Sequence, residues 1–222
     1  MQETLDSLSL TDRSIRDRVN MGRRHELRDR EFLHTLARHF RPGPILELGA
    51  STGHLALLLQ ENGYDVTGSE VEPKLVRAIA SRGVKAALVD ATQDIVTQTG
   101  ETYANILAQG VIPLIRRDRD TVRRSLRAIH DALKPQGRLL CVSPYAWRQP
   151  NPAAFFSPKE QMEIARNSGL FEPVIAYPHQ VVPPQLYRPW NAKFLNLLDH
   201  KLAWIARVRW VWAMEKRSGN LP

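Results

Sequence analysis

The stretch Ile45-Leu46-Glu47-Leu48-Gly49-Ala50-Ser51-Thr52-Gly53 decides how the rest of this 222-residue chain is interpreted. An apolar run ends in an acid two residues before a glycine, a second glycine follows four positions later, and a further apolar run begins at Leu55. This order predicts a buried strand, a tight turn in which a missing Cβ lets a ligand approach the backbone, and a helix. Ser51 stands where a dinucleotide-binding GxGxxG motif needs its second glycine. The spacing alone is equally compatible with a plain strand-to-helix turn.

Two further acids follow predicted strands in the same way. Glu70 ends the run Tyr64-Asp65-Val66-Thr67-Gly68-Ser69, and Asp90 ends the run Ala86-Ala87-Leu88-Val89. Ligands of open α/β sheets bind outside the carboxyl ends of the strands, so Glu47, Glu70 and Asp90 are expected to face one crevice. At the end of the second strand, Glu70 is placed to accept hydrogen bonds from a ribose diol. Each acid taken alone is also compatible with a solvated loop end.

Because the three acids follow three successive predicted strands at regular spacing, the chain resembles the class I S-adenosylmethionine-dependent methyltransferases from about residue 40 onward. The resemblance implies an α/β fold: a Rossmann-like, seven-stranded, mostly parallel sheet with helices on both faces and an antiparallel last strand. It also implies an enzyme that uses S-adenosyl-L-methionine. This cofactor has no pyrophosphate, and the turn has neither a third glycine nor a P-loop lysine to hold one.

By this resemblance, Gly49 to Gly53 wrap the methionine part of the cofactor and Glu47 lies near its amino group. Glu70 would hold the ribose hydroxyls, Val71 would pack on the adenine, and Asp90 would accept from the adenine amino group. The predicted cofactor-binding residues are Glu47, Gly49, Ala50, Ser51, Gly53, Glu70, Val71, Asp90, Ala91 and Gln109.

The later sequence follows the same plan. Strands are predicted at 102–109, 138–143, 171–177 and 207–216, the last by its period-two alternation. An arginine-rich helix is predicted at 116–133 and stops at Lys134-Pro135-Gln136-Gly137. An apolar helix at 190–204 is expected to pack on the domain, with contact to a membrane or a partner as the alternative. Gln109-Gly110-Val111-Ile112-Pro113 replaces the Asn/Asp-Pro-Pro-Tyr/Phe motif of flipped-base amino-methyltransferases, which disfavours that activity.

The first 40 residues are predicted to form two helices, 13–20 and 25–40, separated by a break around Gly22. Residues 1–40 are therefore assigned to an N-terminal helical cap and residues 41–222 to the methyltransferase domain. In related small-molecule methyltransferases such a segment covers the methyl-donor crevice. The alternative is a helix–helix turn with exposed cations.

The cap and the loop after the fifth predicted strand supply the candidates for acceptor chemistry. His25 and Tyr145 are the predicted catalytic residues, since an acceptor hydroxyl needs a general base. His54, the first residue of the cofactor-wrapping helix, is expected to pack or cap rather than act on substrate. The predicted substrate-binding residues are Arg23, Arg24, Trp147 and Arg148.

Composition limits the remaining function classes. The single cysteine excludes a disulfide framework, zinc-site spacings are absent, and no metal is expected. No apolar run is long enough to span a bilayer and the first residues lack a signal peptide, so a cytoplasmic location is predicted. The net charge of +8 is concentrated in two arginine-rich segments, of which 116–127 is expected to be a solvated helix face. Aromatic residues do not interleave with either, so nucleic acid is an unfavoured partner.

The sequence thus predicts a methyltransferase that acts on a small-molecule or carrier-linked metabolite or glycan acceptor. An RNA or protein methyltransferase is the alternative that basicity favours, and a non-catalytic cofactor-binding protein is the third. Peripheral membrane contact stays open as a partner interaction.

Overall fold

A computed structural model describes residues 13–144, 151–179, 182, 184–206 and 209–217. Its seven strands are β1 (Ile45–Leu48), β2 (Val66–Glu70), β3 (Lys85–Leu88), β4 (Tyr103–Gln109), β5 (Leu133–Pro144), β6 (Phe171–His179) and β7 (Arg209–Lys216). They form one sheet in the order β3-β2-β1-β4-β5-β7-β6. Strands β1 to β5 are parallel, and β7 runs antiparallel to both of its neighbours. The predicted fold class, with its antiparallel last strand, is confirmed.

Helices cover both faces of this sheet. They are α1 (Arg13–Ala37), α2 (His54–Glu61), α3 (Pro73–Ala80), α4 (Ile95–Thr99), α5 (Ile112–Ile115), α6 (Arg119–Ala132), α7 (Pro158–Asn167) and α8 (Ala192–Ala206). Apolar residues of α1, α2 and α3 pack on one face, and those of α4 to α7 pack on the other. This arrangement leaves the carboxyl ends of β1, β2 and β4 side by side at one edge of the sheet.

The first helix is continuous, and the predicted break around Gly22 is wrong. Helix α1 runs for 25 residues from Arg13 to Ala37. Ile15 and Val19 pack against residues of α3, and Leu33 and Leu36 are buried in the core on the α2 side of the sheet. A glycine inside a helix costs about 1 kcal/mol relative to alanine, and burial at both ends of α1 outweighs that cost.

The arginine-rich helix is also shorter than predicted. Helix α6 begins at Arg119 because Asp118 caps it, accepting hydrogen bonds from the backbone N–H groups of Asp120 and Thr121. It ends at Ala132, and β5 starts directly at Leu133. The 134–137 segment therefore lies inside the strand instead of forming a separate stop. The arginines of α6 are exposed, as the solvated-face interpretation predicts.

Helix α8 packs on the domain along one side. Ala192 is buried, and the Asn196 side chain donates hydrogen bonds to the Glu31 carbonyl and the Thr35 hydroxyl of α1. The opposite side presents Phe194 and Leu197 to solvent. The predicted packing on the domain is thus confirmed for one side of this apolar helix.

Replacement of Leu36 by alanine tests how firmly α1 belongs to the core. Leu36 is fully buried, so Leu36→Ala is expected to lower the free energy of unfolding by about 2–5 kcal/mol in urea titrations. His34→Ala, on the exposed side of the same helix, is the matched control and should change it by less than about 0.5 kcal/mol. Equal effects of the two substitutions would mean that α1 is not docked as described.

Candidate functional site

The turn between β1 and α2 has a left-handed backbone at three positions. Gly49, Ser51 and Gly53 have φ angles of 67°, 54° and 71°. The Ala50 N–H donates to the Ser69 carbonyl at 2.9 Å, and the Ser51 N–H donates to Glu70 Oε1 at 2.8 Å. These bonds tie the turn to the end of β2 and hold Ser51 in the left-handed conformation. For any residue other than glycine this conformation is energetically unfavourable.

The two predicted glycines have different roles in this turn. A Cβ on Gly49 would lie 3.2 Å from the Val111 side chain, in the loop that follows β4. A Cβ on Gly53 would meet Ile79 of α3 at the same distance, inside the core. Gly49 therefore keeps the backbone open next to the neighbouring strand end, whereas Gly53 allows α2 and α3 to pack closely.

Glu47 is a buried acid beneath this turn. Only 3% of the residue is exposed, and its carboxyl accepts from the Ala56 N–H in the first turn of α2. The second oxygen, Oε2, has no hydrogen-bond partner in the part of the chain that the structure describes. Burial raises the pKa of Glu47 to about 8, the Ala56 N–H offsets part of that rise, and the nearby Glu70 carboxylate adds to it. The carboxyl group is therefore mostly protonated at pH 7 and has one oxygen ready for a donor.

A cavity of about 260 Å³ lies between this turn and α1. Six of the predicted site residues line it: His25, Glu47, Gly49, Ala50, Ser51 and Gln109. Ten residues that are not among the predicted site residues complete the wall: Arg18, Arg28, Asp29, Phe32, Thr52, His54, Leu55, Val142, His179 and Arg209. Helix α1 thus forms a roof over the strand ends.

The other predicted cofactor residues do not line this cavity: Gly53 ends the turn, and Glu70, Val71, Asp90 and Ala91 lie along the neighbouring strand ends. Both oxygens of Glu70 accept backbone N–H groups, from Ser51 at 2.8 Å and Val71 at 3.2 Å. Val71 is 63% exposed, and the exposed Asp90 accepts from the backbone and hydroxyl of Thr92. Ala91 is buried in the core. The three acids therefore occupy one edge of the sheet, but Glu47 is the one of the three that lines the cavity beneath α1.

The roof carries a paired carboxylate that the sequence analysis missed. Asp29 Oδ1 accepts from Arg28 Nε at 2.8 Å and from Nη2 at 2.6 Å. Its other oxygen lies 3.5 Å from His54 Nε2. Burial alone would raise the pKa of Asp29, but His54 and Arg28 outweigh it, so the pKa lies below its usual value. His54 therefore points its ring toward the roof, where the sequence analysis expected only packing or capping.

The helical spacing of the α1 residues that line the cavity could have revealed them in the sequence. Arg18, His25, Asp29 and Phe32 are separated by seven, four and three positions, so they share one face of a continuous helix. The predicted break at Gly22 divided that face into two pieces. Arg18 Nη1 reaches the Ser51 hydroxyl at 3.4 Å, and the Phe32 ring stacks on His179 with centroids 4.3 Å apart.

His25 lies in the middle of the roof. The pKa of its imidazole is lowered, first by burial and then by the nearby Arg28 and, to a smaller extent, Arg209 and His54, while Asp29 opposes them. The ring is consequently neutral at pH 7 and able to accept a proton.

Several predicted acceptor residues fall outside the described part of the structure. Arg23 and Arg24 belong to the backbone of α1, but their side chains are outside it. Tyr145, Trp147 and Arg148 lie in the segment 145–150, which is not among the described residues.

Comparison with known proteins identifies the family. A family model described as a methyltransferase domain matches residues 20–195, and the chain belongs to this family. The resemblance to S-adenosylmethionine-dependent methyltransferases is thereby confirmed, and the protein is a methyltransferase by family. No curated protein has a sequence that matches this one.

Solved structures show the same fold. The chain is similar to a methyltransferase of Thermotoga maritima described as a possible histamine N-methyltransferase, with 16% identity, a TM-score of 0.64, and 93% of this chain and 97% of that chain covered. It is also similar to the CcbJ methyltransferase of Streptomyces caelestis, with 15% identity, a TM-score of 0.62, and 86% and 90% covered. The N-methyltransferase NodS of Bradyrhizobium japonicum, solved with S-adenosyl-L-homocysteine, shares 15% identity and a TM-score of 0.59, with 98% of both chains covered.

Two further features of the described residues bear on function class. None of the helices found among them is both long and apolar enough to cross a membrane. Nor does the described part of the chain hold a cluster of three His, Cys, Asp or Glu side chains that would bind a metal ion.

The raised pKa of Glu47 predicts how stability depends on pH. An unfolded chain releases this proton near the ordinary value of 4.5, whereas the folded protein keeps it until about pH 8. The neutral carboxyl therefore favours folding at low pH, and this contribution is lost as pH rises from 4.5 to 8. Glu47→Gln removes the titrating group, so the variant should become progressively more stable than wild type across that window, by at most about 1.4 kcal/mol per pH unit.

Urea unfolding at pH 5, 6.5 and 8 measures this difference. Glu163→Gln, an exposed acid on α7, is the control and should show no such trend. A constant difference between wild type and Glu47→Gln at all three pH values would mean that Glu47 is ionised throughout.

Proposed function

We propose that the protein transfers a methyl group from S-adenosyl-L-methionine to a small-molecule or carrier-linked metabolite or glycan. The observation that carries the proposal is the carboxyl oxygen of Glu47 that has no partner among the described residues, beneath an open glycine turn in a domain of a methyltransferase family. When bound, S-adenosyl-L-methionine supplies a methyl carbon activated by a positively charged sulfur.

The residues of the turn fit the amino-acid end of this cofactor. The buried oxygen of Glu47 would accept from its ammonium group, and the open backbone at Gly49 leaves room that a Cβ would fill. Arg18, which reaches the Ser51 hydroxyl, is placed for its carboxylate. An ammonium group beside Glu47 would stabilise the charged carboxylate and so lower the raised pKa.

The strand ends next to the cavity fit the nucleoside end. Each carboxylate oxygen of Glu70 accepts one backbone N–H and retains a further lone pair for a ribose hydroxyl. Exposed Val71 offers an apolar surface for the adenine ring, and exposed Asp90 with Ala91 is placed one strand further along. Gln109 lines the cavity at the end of β4.

Helix α1 serves as the cap over the acceptor in this proposal. Residues 1–40 would form the cap and residues 41–222 the catalytic domain, although the end of α1 is itself packed into the core. A cavity of this size, covered by α1, favours a small acceptor group over a macromolecular surface. The arginines of α6, whose positive charge made RNA an alternative substrate, are exposed and do not line this cavity.

His25 is the proposed proton acceptor. Its neutral imidazole lines the cavity on the roof, opposite the turn, where it would take the proton that a hydroxyl or amino group of the acceptor loses on methylation. Tyr145 is retained as the second candidate, from the sequence alone.

Replacement of Glu70 tests the placement of the cofactor. Glu70→Gln removes the charged acceptor for the ribose hydroxyls and should weaken binding of S-adenosyl-L-homocysteine by about 1.5–3 kcal/mol, or about 10- to 150-fold, in calorimetric titration. Glu72→Gln, two residues along the chain, has an exposed ion pair with Lys74 and should bind with wild-type affinity. Unchanged affinity of a folded Glu70→Gln variant would place the nucleoside elsewhere.

Replacement of His25 tests the proton acceptor. His25→Asn should keep cofactor affinity and lower methyl transfer by about 10²- to 10⁴-fold, measured as deuterated methyl incorporated into a metabolite extract. Wild-type transfer should fall as pH drops below the lowered pKa of His25, since a protonated ring accepts nothing. His34→Asn, exposed on the same helix, is the control; equal rates for both variants would remove His25 from the proposal.

A further inference from the structure

The segment that leads into α8, together with α8 itself, exposes an unusual number of large apolar side chains. Nine large apolar residues are exposed in the described part of the chain, and five of them fall within this one segment. They are Leu186, Trp190, Phe194, Leu197 and Leu202, of which Trp190 is 84% exposed. A single exposed apolar residue is ordinary on a protein surface, whereas a concentration of them marks a contact surface.

These residues lie together because the chain turns helically before α8 begins. The Arg188 carbonyl accepts the N–H groups of Asn191 and Ala192, at 3.0 and 2.9 Å. The Asn191 side chain also donates to the Leu186 carbonyl at 3.2 Å, which holds Leu186 close to the first turn of α8. Trp190 lies inside this hydrogen-bonded turn, so it and Leu186 continue the exposed surface of the helix.

Two adjacent rows of side chains form the exposed side of α8. Residues four apart in a helix are neighbours on its surface. One row is apolar throughout, with its middle residue partly buried: Phe194, Leu198 and Leu202. The other row places a leucine between two lysines: Lys193, Leu197 and Lys201. Trp190, four positions before Phe194, extends the apolar row toward the preceding turn.

Positive charge borders this apolar surface. Arg188, Lys193 and Lys201 are exposed, and no acid occurs among the side chains that the structure describes in 185–202. In the sequence this segment has one acid, Asp199, against these three cations, and the whole chain has a net charge of +8. Apolar side chains with cations at their border are the composition of a helix that lies in the surface of an anionic bilayer.

The same charges disfavour a second copy of the chain as the occupant of this surface. A two-fold dimer places one surface against itself, so the lysines at 193 and 201 of both copies would be brought together. Like charges in an apolar interface repel each other, whereas acidic lipid headgroups attract them. The long lysine side chains can also lie along apolar surface while their ammonium groups reach the headgroups. An exposed tryptophan beside them suits the same level of a bilayer.

Helix α8 packs against the helix that covers the cavity. Its Asn196 side chain bonds to Glu31 and Thr35 of α1, and Leu27 of α1 packs against the apolar cluster at the start of α8. Leu27, Glu31 and Thr35 lie four positions apart and so form one face of α1, next to the face that lines the cavity. A partner bound to α8 would therefore lie close to the α1 wall of the cavity.

We infer that the protein binds the surface of an anionic membrane through α8, with Trp190, Phe194 and Leu197 among the lipids and Lys193 and Lys201 at the headgroups. Binding of this kind does not depend on the methyl transfer proposed above. It is therefore tested by binding alone, and its failure would leave the proposed function untouched.

Sedimentation with lipid vesicles measures this interaction. The full chain is mixed with vesicles of phosphatidylcholine alone, or of phosphatidylcholine and phosphatidylglycerol in equal parts, and the pelleted fraction is determined. Binding to the mixed vesicles that weakens as salt is added is the expected result, because salt screens the attraction of the lysines to the headgroups. Absence of binding to the mixed vesicles, or equal binding to both kinds, would overturn the inference.

Replacement of apolar residues on α8 tests the binding surface. The double substitution Phe194→Ser and Leu197→Ser should lower the partition coefficient on mixed vesicles by at least about tenfold, because two apolar side chains no longer leave water. Leu88→Ser is the matched control: Leu88 is as exposed as Leu197, but it ends β3, at the opposite edge of the sheet from β6. It should bind as wild type. Wild-type binding of the double variant would place the membrane contact elsewhere and overturn the inference.

Replacement of a lysine tests the electrostatic part. Lys201→Gln should lower the partition coefficient on mixed vesicles by about fivefold, the effect of one cation near an anionic surface. Lys159→Gln removes the same charge from the exposed side of α7, on the other face of the sheet, and should bind as wild type. Equal loss in both variants would mean that net charge alone drives binding and would overturn the assignment to α8.

Light scattering without vesicles tests the second copy as the alternative occupant. A monomer is the expected result for wild type and for the Phe194→Ser, Leu197→Ser variant. A wild-type dimer that dissociates in this variant would assign the surface to self-association and overturn the inference. The melting temperature of the variant should equal that of wild type, because both substituted side chains are exposed.

Discussion

The left-handed turn after β1 is the constraint on which the site depends. Its N–H groups bind the end of β2, so the turn cannot relax without breaking the hydrogen bonds to Ser69 and Glu70. The same turn starts α2, whose Ala56 N–H binds the Glu47 carboxyl. Gly68, opposite Glu47 in β2, is needed because a Cβ there would lie 3.0 Å from Ile79. Sheet register, helix packing and the buried acid are therefore set by one short segment.

The part of the site formed by the strand ends and the glycine turn could be predicted from the sequence, because its signals are local. A strand, a glycine and an acid at a strand end are neighbours in the chain, and parallel strands bring their carboxyl ends to the same edge. Glu47, Gly49 and Ser51 were found in this way, as were the order of strands and helices. Which of the three acids lines the cavity was not predictable, because it depends on the helix that covers this edge of the sheet.

The part of the site formed by α1 could not be predicted, because it depends on tertiary contacts. Local propensity favours a break at Gly22, but α1 is held at both ends by contacts with α3 and with the core, which no local pattern reveals. Because the helix was predicted to break at Gly22, the sequence did not indicate that Arg18, His25 and Asp29 share one helix face. The pairing of Asp29 with His54 joins the roof to the turn across 25 positions of sequence, and only the tertiary structure brings these side chains within 3.5 Å.

The two sides of the cavity bring different chemistry to the proposed ligands. On the side of the turn, Glu47 is a neutral acid that becomes charged when a cation arrives, since an ammonium group beside it stabilises its carboxylate. On the side of α1, Asp29 is bound by Arg28 and lies 3.5 Å from His54, and the lowered pKa of His25 leaves a ring that can accept a proton. Because an ammonium group favours the ionised form of Glu47, binding of the proposed donor would release a proton on one side of the cavity while the proposed proton acceptor stays available on the other.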